Sequence, residues 1–325
     1  MNPFRYARPS SPSAAFTDFA GERRARYVAG GTNILDLMKI EVESPPLLID
    51  INALALASIE VTGDAIHVGA LARLTDVAEN EQVRTHLPLV AIALEESASP
   101  QLRNMATIGG NLLQRTRCPY FRDTATPCNK RAPKSGCGAL GGELRREAVL
   151  GTSEHCIATH ASDLAVALAA LDATVHVTGL SGNREIALHD FYRLPGDTPH
   201  VETSLGPGEL IVAVSLPLLS YGARSTYLKV RDRAQYDFAL ASAAVALDLS
   251  GKTIRQARVA LGGVATIPWR SLQAEALLRN AAASRDTFER AADAALAEAR
   301  GRGGNDYKIP LAKRTLVRAL EIAAA

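Results

Sequence analysis

The sequence predicts an α+β protein of two or three domains, and three observations support that class. The chain has 325 residues, of which 47% are hydrophobic and 22% charged, so it can form more than one core. Short strand segments and segments of helical spacing are mixed over the first 220 residues. Near Tyr221 the pattern changes to strands followed by helices, which is typical of a sheet-plus-helices unit with its own core.

The first 57 residues contain a strand that runs directly into a glycine turn. The strand is predicted at residues 26–29, the turn is formed by Gly30 and Gly31, and a helix with Thr32 or Asn33 as N-cap follows at residues 34–39. Glycines allow close approach to the backbone, and a helix N-terminus favours an anion. Most such turns bind nothing, and this one matches neither the Walker nor the Rossmann spacing.

A second glycine turn repeats the pattern. Gly109 and Gly110 follow a threonine and precede an asparagine, 79 positions after the first glycine pair, and lead into another apolar run. Two such turns are expected to hold one extended diphosphate from both sides.

The remaining elements divide the chain into three predicted units: residues 1–57, residues 58–220 and residues 221–325. The second unit has predicted strands at 58–61, 65–70, 174–177, 184–187 and 209–216, with helices at 74–79, 87–98 and 163–171. Asp163, at the start of the last helix, is predicted to be its N-cap. The third unit has predicted strands at 225–230, 241–249 and 254–261, with helices at 271–280, 285–300 and from residue 310.

Charge and hydropathy favour a small-molecule or protein partner. The net charge is +2 and the basic residues are not concentrated in one segment, which argues against nucleic acid. The N-terminal residues lack the apolar region of a signal peptide, and no apolar run is long enough to span a membrane. We expect a chain that is cytoplasmic when synthesised, without membrane insertion, and periplasmic if exported on the signal of a partner.

All four cysteines lie within 39 consecutive positions. Nine, eight and eighteen residues separate Cys118, Cys128, Cys137 and Cys156 in turn. Without a Cys-x-x-Cys pair a zinc ribbon is less natural, and nothing points to disulfides. A [4Fe–4S] cluster, a zinc ion and no metal at all remain open from the cysteines alone. Seven residue steps limit the first cysteine to about 25 Å from the second glycine turn, so a cluster there would lie near the diphosphate site.

Together these segments resemble the FAD-binding (medium) subunits of the molybdenum hydroxylases, which include xanthine dehydrogenase, carbon monoxide dehydrogenase and aldehyde oxidoreductases. The likeness runs end to end, and within the family it favours the FAD subunit of bacterial periplasmic aldehyde oxidoreductase, which carries a [4Fe–4S] cluster in an inserted loop. The segments that carry it, besides the glycine turns, are residues 162–164, 208–211, 229–233 and 261–265.

The resemblance implies a two-part FAD-binding domain of the vanillyl-alcohol-oxidase/PCMH type, with a cysteine-bearing insertion at about residues 112–160 and a C-terminal domain whose sheet is covered by helices. It implies that both glycine segments bind the FAD diphosphate. The implied contacts in these segments are Tyr27, Val28, Ala29, Gly30, Gly31, Thr32, Asn33, Ile34, Thr107, Gly110 and Asn111. The implied cluster ligands are Cys118, Cys128, Cys137 and Cys156.

Four further contacts are implied outside the glycine segments. Asp163 would bind ribityl or ribose hydroxyls, Leu210 and Ile211 would lie against the isoalloxazine, and Lys229 would approach its polar edge. From the sequence pattern alone, Leu210 and Ile211 are ordinary strand core and Lys229 is a solvated charge.

The implied activity is electron transfer. In a heterotrimer, a large molybdenum-cofactor subunit and a small [2Fe–2S] subunit would supply electrons to FAD on this chain, and an external acceptor would receive them. Two other hypotheses are a flavin-free, zinc-stabilised assembly module and a free-standing FAD oxidase. A subunit of the 4-hydroxybenzoyl-CoA reductase type also carries a cluster-bearing insertion, so the substrate stays open.

Overall fold

Three β-sheets organise the computed structural model, which describes residues 1–222 and 224–325. In the first sheet, β3 (Leu47–Asp50) pairs in parallel with β1 (Arg5–Ala7) on one side and β2 (Arg26–Val28) on the other. Helix α1 (Pro12–Gly21) joins β1 to β2, and α2 (Ile34–Lys39) follows β2. The first glycine segment therefore begins at the carboxyl end of a strand and ends at the start of a helix.

The second sheet has five strands and is antiparallel throughout. Its strands, in spatial order, are β4 (Ile59–Thr62), β5 (Ala65–Gly69), β8 (Leu210–Pro217), β6 (Thr174–Gly179) and β7 (Gly182–Ala187). Alternating residues such as Ile66, Val175 and Val214 are fully buried in one core. The helices of this part of the chain are α3 (Leu74–Glu79), α4 (Glu81–His86), α5 (Pro88–Glu95), α6 (Pro100–Arg103), α7 (Ile108–Leu112), α8 (Pro119–Arg122), α9 (Asp163–Ala170) and α10 (Leu188–Phe191).

The third sheet is the C-terminal one, and it is buried on both faces. Its strands are antiparallel in the spatial order β12 (Trp269–Arg270), β11 (Thr253–Gly262), β10 (Ala241–Ser250), β9 (Ser225–Val230). Helices α11 (Leu272–Leu278), α12 (Arg285–Ala295) and α13 (Lys308–Ala324) follow it. Val245 and Leu261 pack against these helices, whereas Tyr227 and Ala244 join the core of the second sheet. The C-terminal sheet is thereby fixed against the rest of the chain.

The α+β prediction is confirmed, while the boundaries at residues 57 and 220 stay predictions. One local prediction is wrong: Asp163 is the first residue of α9, and Ser162 is the N-cap, its Oγ accepting from the N–H of Ala165 at 2.9 Å. The second glycine turn is the beginning of helix α7. Across the described residues, no helix combines the length and apolar character of a membrane span.

The insertion has little regular structure. Apart from α8 it contains a 3₁₀ turn, Gly138–Gly141, and a bridge between Cys128 and Cys137. Its last part enters the C-terminal core, because Val149 and Leu150 are buried there and both of their N–H groups donate to the carbonyl of Val264. The insertion therefore contacts both halves of the protein.

Candidate cofactor site

The two glycine segments lie against each other. A Cβ at Gly30 would overlap the carbonyl oxygen of Met105 and lie 3.1 Å from the nitrogen of Ala106, just before α7. Gly31 has a φ of +73°, in the left-handed region that glycine favours. Gly30 therefore permits the close approach of the two segments, and Gly31 turns the chain into α2.

Asn33, directly before α2, provides a donor between the segments. Its Oδ1 accepts from the N–H of Arg115 at 3.1 Å. Its Nδ2 is buried, and no acceptor among the described residues faces it. Leaving such a donor unsatisfied costs about 1–3 kcal/mol, so it indicates that a ligand supplies the acceptor. With the free N–H groups at a helix start, this donor suits a phosphate oxygen.

Two residues outside the glycine motifs tie the segments together. Asn52 donates from Nδ2 to the carbonyl of Ala29 at 2.9 Å, and its Oδ1 accepts from Arg73 at 3.1 Å. The guanidinium of Arg73 also donates to the carbonyl of Met105. Sequence reasoning missed both side chains, since a polar residue soon after a buried strand is a weak signal.

The second segment is shaped by its first helical turn. Thr107 caps α7, with Oγ1 accepting from the N–H of Gly110 at 3.2 Å. Gly110 is exposed, and a Cβ there would meet only Thr107 Oγ1, at 3.0 Å. Asn111 accepts at Oδ1 from the hydroxyl of Ser162 at 2.6 Å, which ties α7 to the start of α9. Of these residues, Gly110 is therefore the one that leaves most room for a ligand.

A cleft with about 1170 Å³ of empty space, counting its part open to solvent, begins at the glycine segments. Leu210 and Ile211 line it at the start of β8, and Tyr27 lines it at β2. Burial raises the pKa of Tyr27 to about 12, so the phenol stays neutral and donates to the carbonyl of Gly208 at 2.8 Å. Phe19 stacks on the ring of Tyr27 at 5.7 Å. We call this apolar space the first cleft.

A second cleft, with about 1460 Å³ of empty space counted in the same way, opens on the other side of the glycine segments. Asp163 and Lys229 line it. Thr32, Asn33 and Gly110 line both clefts, so the two spaces meet at the glycine segments. The joined clefts suit an elongated ligand that passes the glycine segments.

Asp163 is held by three protein donors. Its Oδ1 accepts from the hydroxyl of Tyr227 at 2.6 Å. Its Oδ2 accepts from Lys229 Nζ at 2.8 Å, and it shares the Ser97 hydroxyl, at 3.3 Å, with the carbonyl of Ala93, at 2.6 Å. Burial, with the neighbouring Asp163 carboxylate, raises the pKa of Tyr227 well above its usual value. A carboxylate has about four acceptor positions, so roughly one remains for a ligand hydroxyl.

Fourteen of the fifteen predicted FAD contacts line one of the two clefts. The exception is Val28, whose side chain packs on Met38 and Leu48. The structure also separates two groups that sequence reasoning assigned to the flavin: Leu210 lies in the first cleft and Lys229 in the second. Lining residues that sequence reasoning missed include Phe19, Glu43 and Arg115 in the first cleft and Arg117, Arg233, Tyr236 and Phe238 in the second.

The four cysteines converge on one space. Cys118, Cys128, Cys137 and Cys156 all line one small cavity, and each is a free thiol. Three of them are less than 8% exposed. Within residues 1–222 and 224–325, no three His, Cys, Asp or Glu side chains are close enough to hold one metal ion.

Backbone N–H groups point at these sulfurs. Those of Tyr120 and Phe121 face Cys118, those of Ala139 and Leu140 face Cys137, and that of Ala158 faces Cys156. Burial raises the pKa of Cys118, Cys137 and Cys156, in the last case to about 11, and the N–H groups oppose the rise. Three buried sulfurs and one half-buried sulfur, three of the four with N–H donors, are the type of ligands that iron–sulfur clusters use, so the residues present fit that group.

One layer of side chains separates the cysteine cavity from the first cleft. Leu37 lines the cleft and packs in the apolar cluster that contains the cysteines. The guanidinium of Arg115, also in the cleft lining, stacks at 4.7 Å over Phe121, which lines the cavity. The two candidate cofactor sites are therefore neighbours.

Two interlocked glycine segments, a two-part cleft and a C-terminal sheet covered by helices define a class of flavoprotein subunit. The chain belongs to the family described as FAD binding domain in molybdopterin dehydrogenase, which matches residues 2–219. The CO dehydrogenase flavoprotein C-terminal domain matches residues 226–323. The predicted resemblance to the medium subunits of molybdenum hydroxylases is confirmed.

The similarity extends to particular proteins. The aldehyde oxidoreductase FAD-binding subunit PaoB of Escherichia coli K12 is 50% identical over 327 residues, covering 100% of this chain and 99% of that protein. The glyceraldehyde dehydrogenase medium chain of Sulfolobus acidocaldarius is 30% identical over 273 residues, covering 84% and 79%. A carbon monoxide dehydrogenase structure from Hydrogenophaga pseudoflava superposes with a TM-score of 0.77, at 28% identity over 99% of this chain and 98% of that one.

Proposed function

We propose that this chain is the FAD- and [4Fe–4S]-carrying electron-transfer subunit of a molybdenum-dependent aldehyde oxidoreductase. The observation that carries the proposal is the contact between the glycine segments at Gly30, which makes one groove out of two clefts. When bound, FAD supplies two-electron chemistry and an iron–sulfur cluster one-electron chemistry. The chain's own residues hold these groups and carry out no acid–base step on the organic substrate.

The FAD contacts divide by chemistry. Asn33 Nδ2 and the N–H groups of the glycine segments would bind the diphosphate oxygens. The remaining acceptor position of Asp163 would take a ligand hydroxyl in the second cleft. The apolar wall at Leu210 would exclude water from the other end.

The cysteine site would hold the [4Fe–4S] cluster. Each thiolate of such a cluster binds a different iron, so its four ligands surround a space larger than that of a single tetrahedral ion. The single cavity that all four cysteines line supports this assignment, as do the N–H groups that face three of the sulfurs.

Aldehyde is the proposed substrate class because the names of two relatives specify it. PaoB belongs to an aldehyde oxidoreductase, and the Sulfolobus protein to a glyceraldehyde dehydrogenase. The proposed partners are a large molybdenum-cofactor subunit and a small [2Fe–2S] subunit, in a heterotrimer that passes its electrons to an external acceptor.

A visible spectrum with metal analysis of anaerobically purified protein tests the cofactors. We expect flavin bands over a broad iron–sulfur absorbance, with one FAD and about four irons per chain. A colourless protein with zinc would support an assembly module, and flavin without iron a simple FAD oxidase. Co-expression with the two partner subunits tests the activity: an aldehyde should bleach the flavin only in the complex. Bleaching by the isolated chain would contradict the electron-transfer role.

A further inference from the structure

The loop at residues 231–238, between β9 and β10, forms one wall of the second cleft. Arg233, Tyr236, Asp237 and Phe238 line that cleft. Tyr236 has a φ of +55°, which is unfavourable for a bulky residue, and its side chain is 54% exposed. Backbone in such a conformation persists when the surrounding structure holds it.

Two arginines of the insertion hold this loop. Arg145 makes a bidentate pair with Asp232, at 2.6 and 2.7 Å. Arg146 donates to both oxygens of Asp237, at 2.9 and 3.3 Å, and to Asp232 at 2.9 Å. The two arginines and two aspartates form one network at both ends of the loop. Bidentate networks fix geometry better than isolated surface ion pairs do.

Hydrogen bonds to their carbonyl groups fix the backbone of both arginines. The carbonyl of Arg145 accepts from the hydroxyl of Tyr307 at 2.9 Å. The carbonyl of Arg146 accepts from Lys308 Nζ at 3.0 Å and from the hydroxyl of Thr159 at 3.1 Å. Lys308 is fully buried at the start of α13. The network therefore connects the 231–238 loop to the packed helices of the C-terminal domain.

The insertion also contacts this loop from within the cleft. The guanidinium of Arg117 lies 5.0 Å from the ring centroid of Phe238, within the range of a cation–π contact. Arg117 is held in turn by Asp36, at 3.2 Å. The loop is thus held by the insertion on two sides.

We propose that the insertion acts as a clamp: Arg145 and Arg146 fix the 231–238 loop as the closing wall of the second cleft, and this retains the bound cofactor. The identity of the retained molecule, FAD, rests on the proposed function. Neither arginine lines a cleft among those described, so both are positioning residues that act through Tyr236 and Phe238.

The test compares the wild-type holoprotein with the double variant Arg145→Ala/Arg146→Ala. Amide hydrogen exchange of residues 231–238 should become about tenfold faster, because a locally held loop opens without global unfolding. The rate of FAD dissociation on dilution, measured by flavin fluorescence, should increase roughly threefold to tenfold, because the groove would lose the wall at one end. The melting temperature should fall only moderately: the exposed Arg145–Asp232 pair contributes roughly 0–1 kcal/mol, and most of the loss should come from the Asp237 carboxylate, which is 8% exposed and loses its partner.

Three further variants keep the proposal falsifiable. Asp232→Asn/Asp237→Asn breaks the network from the loop side and should reproduce the effect. Arg145→Lys/Arg146→Lys keeps the charge but loses bidentate geometry, so it should be intermediate. The control Arg285→Ala/Arg290→Ala removes exposed ion pairs on α12 and should change neither measurement.

Unchanged exchange in both network variants would overturn the clamp. Faster exchange with an unchanged rate of FAD release would show that the fixed loop does not retain the cofactor. If the purified chain holds no FAD, the proposed function fails, and the exchange measurement still decides whether the clamp exists.

Discussion

The cofactor groove and the cysteine site lie side by side but are built in different ways. The groove takes its shape from regular elements, since one glycine segment links β2 to α2 and the other begins α7. Helix capping and the φ angles that glycine allows are local properties of the sequence, and they fix much of the geometry of the groove. Helical structure in the insertion is limited to the four-residue helix α8 and a four-residue 3₁₀ turn. The shape of the insertion depends on the groups packed around the four sulfurs.

Side chain to backbone hydrogen bonds replace secondary structure in the insertion. Arg131 donates to the carbonyls of Tyr120 and Phe121, at 2.8 and 2.7 Å. Asn129 accepts from the N–H of Gly136 at 2.9 Å and donates to the carbonyl of His155 at 3.1 Å. Because these bonds are not part of a helix or sheet ladder, each can be removed by one substitution without disturbing the elements that form the groove. The cluster and the flavin should therefore be separable by mutation.

The largest effect should come from Gly30→Val in the groove. Its side chain would overlap a backbone carbonyl that cannot move aside, so we expect a loss of several kcal/mol in stability and no bound FAD. Gly110→Val is the matched variant, because a Cβ there would meet no backbone, only the Thr107 hydroxyl at 3.0 Å, at the junction of the clefts. It should lose FAD while its melting temperature stays near that of the wild type. Stoichiometric FAD in Gly110→Val would contradict the proposed diphosphate site.

In the cysteine site, Cys128→Ser should remove the iron and leave most of the flavin bound. Cys128 lines the cysteine cavity and neither cleft, so its replacement should empty the metal site without opening the groove. Iron analysis and the flavin-to-protein ratio measure the two effects. Thr124→Ala, at an exposed position in the same insertion, is the control and should keep both cofactors. Unchanged iron in Cys128→Ser would refute the ligand assignment.

Sequence reasoning succeeded where chemistry is local. The glycine pairs and the four cysteines are each visible as residue types in one short segment, and so is Asn33 beside its turn. It failed where a contact joins distant segments. Nothing near Asn52 or Arg73 in the sequence shows that they hold two glycine segments together.

The same limit explains the separation of the predicted flavin contacts. Leu210 and Lys229 are 19 positions apart, on strands of two different sheets. Whether they face the same cleft depends on how the C-terminal sheet packs on the second sheet. That packing comes from residues such as Tyr227, whose partner Asp163 is 64 positions away. No periodicity in either segment encodes it.

Low pH should destabilise the fold at His160, where the insertion leads into α9. His160 accepts at Nδ1 from the N–H of Ser162 at 3.3 Å and packs edge-on against Tyr192. Burial lowers the pKa of His160 to about 4. In the unfolded chain the imidazole has a pKa of about 6.5. Between about pH 6.5 and pH 4 the unfolded chain therefore binds more protons than the folded chain, so the free energy of unfolding falls as the pH drops. The expected loss from pH 7 to pH 5 is about 2 kcal/mol.

Urea unfolding at pH 7 and pH 5 measures that loss. His160→Asn keeps a hydrogen-bond acceptor but has no group that titrates here. The loss of stability between pH 7 and pH 5 should therefore be smaller in this variant than in the wild type, by about 2 kcal/mol. His189→Asn, at an exposed histidine, should behave like the wild type. Equal pH dependence in His160→Asn and the wild type would contradict the assignment to His160.

The smallest effect should come from Asn52→Ala, which removes a contact between the two glycine segments rather than a contact to ligand. The variant loses the hydrogen bonds to the carbonyl of Ala29 and from Arg73, each contributing about 1 kcal/mol. Because Gly30 still fits against Met105, we expect FAD affinity to fall by roughly tenfold without loss of the fold. Titration of the apoprotein with FAD measures the change, with the exposed Asn183→Ala as control. If Asn52→Ala bound FAD as tightly as the control, the close approach of the glycine segments would depend on Gly30 and Arg73 alone.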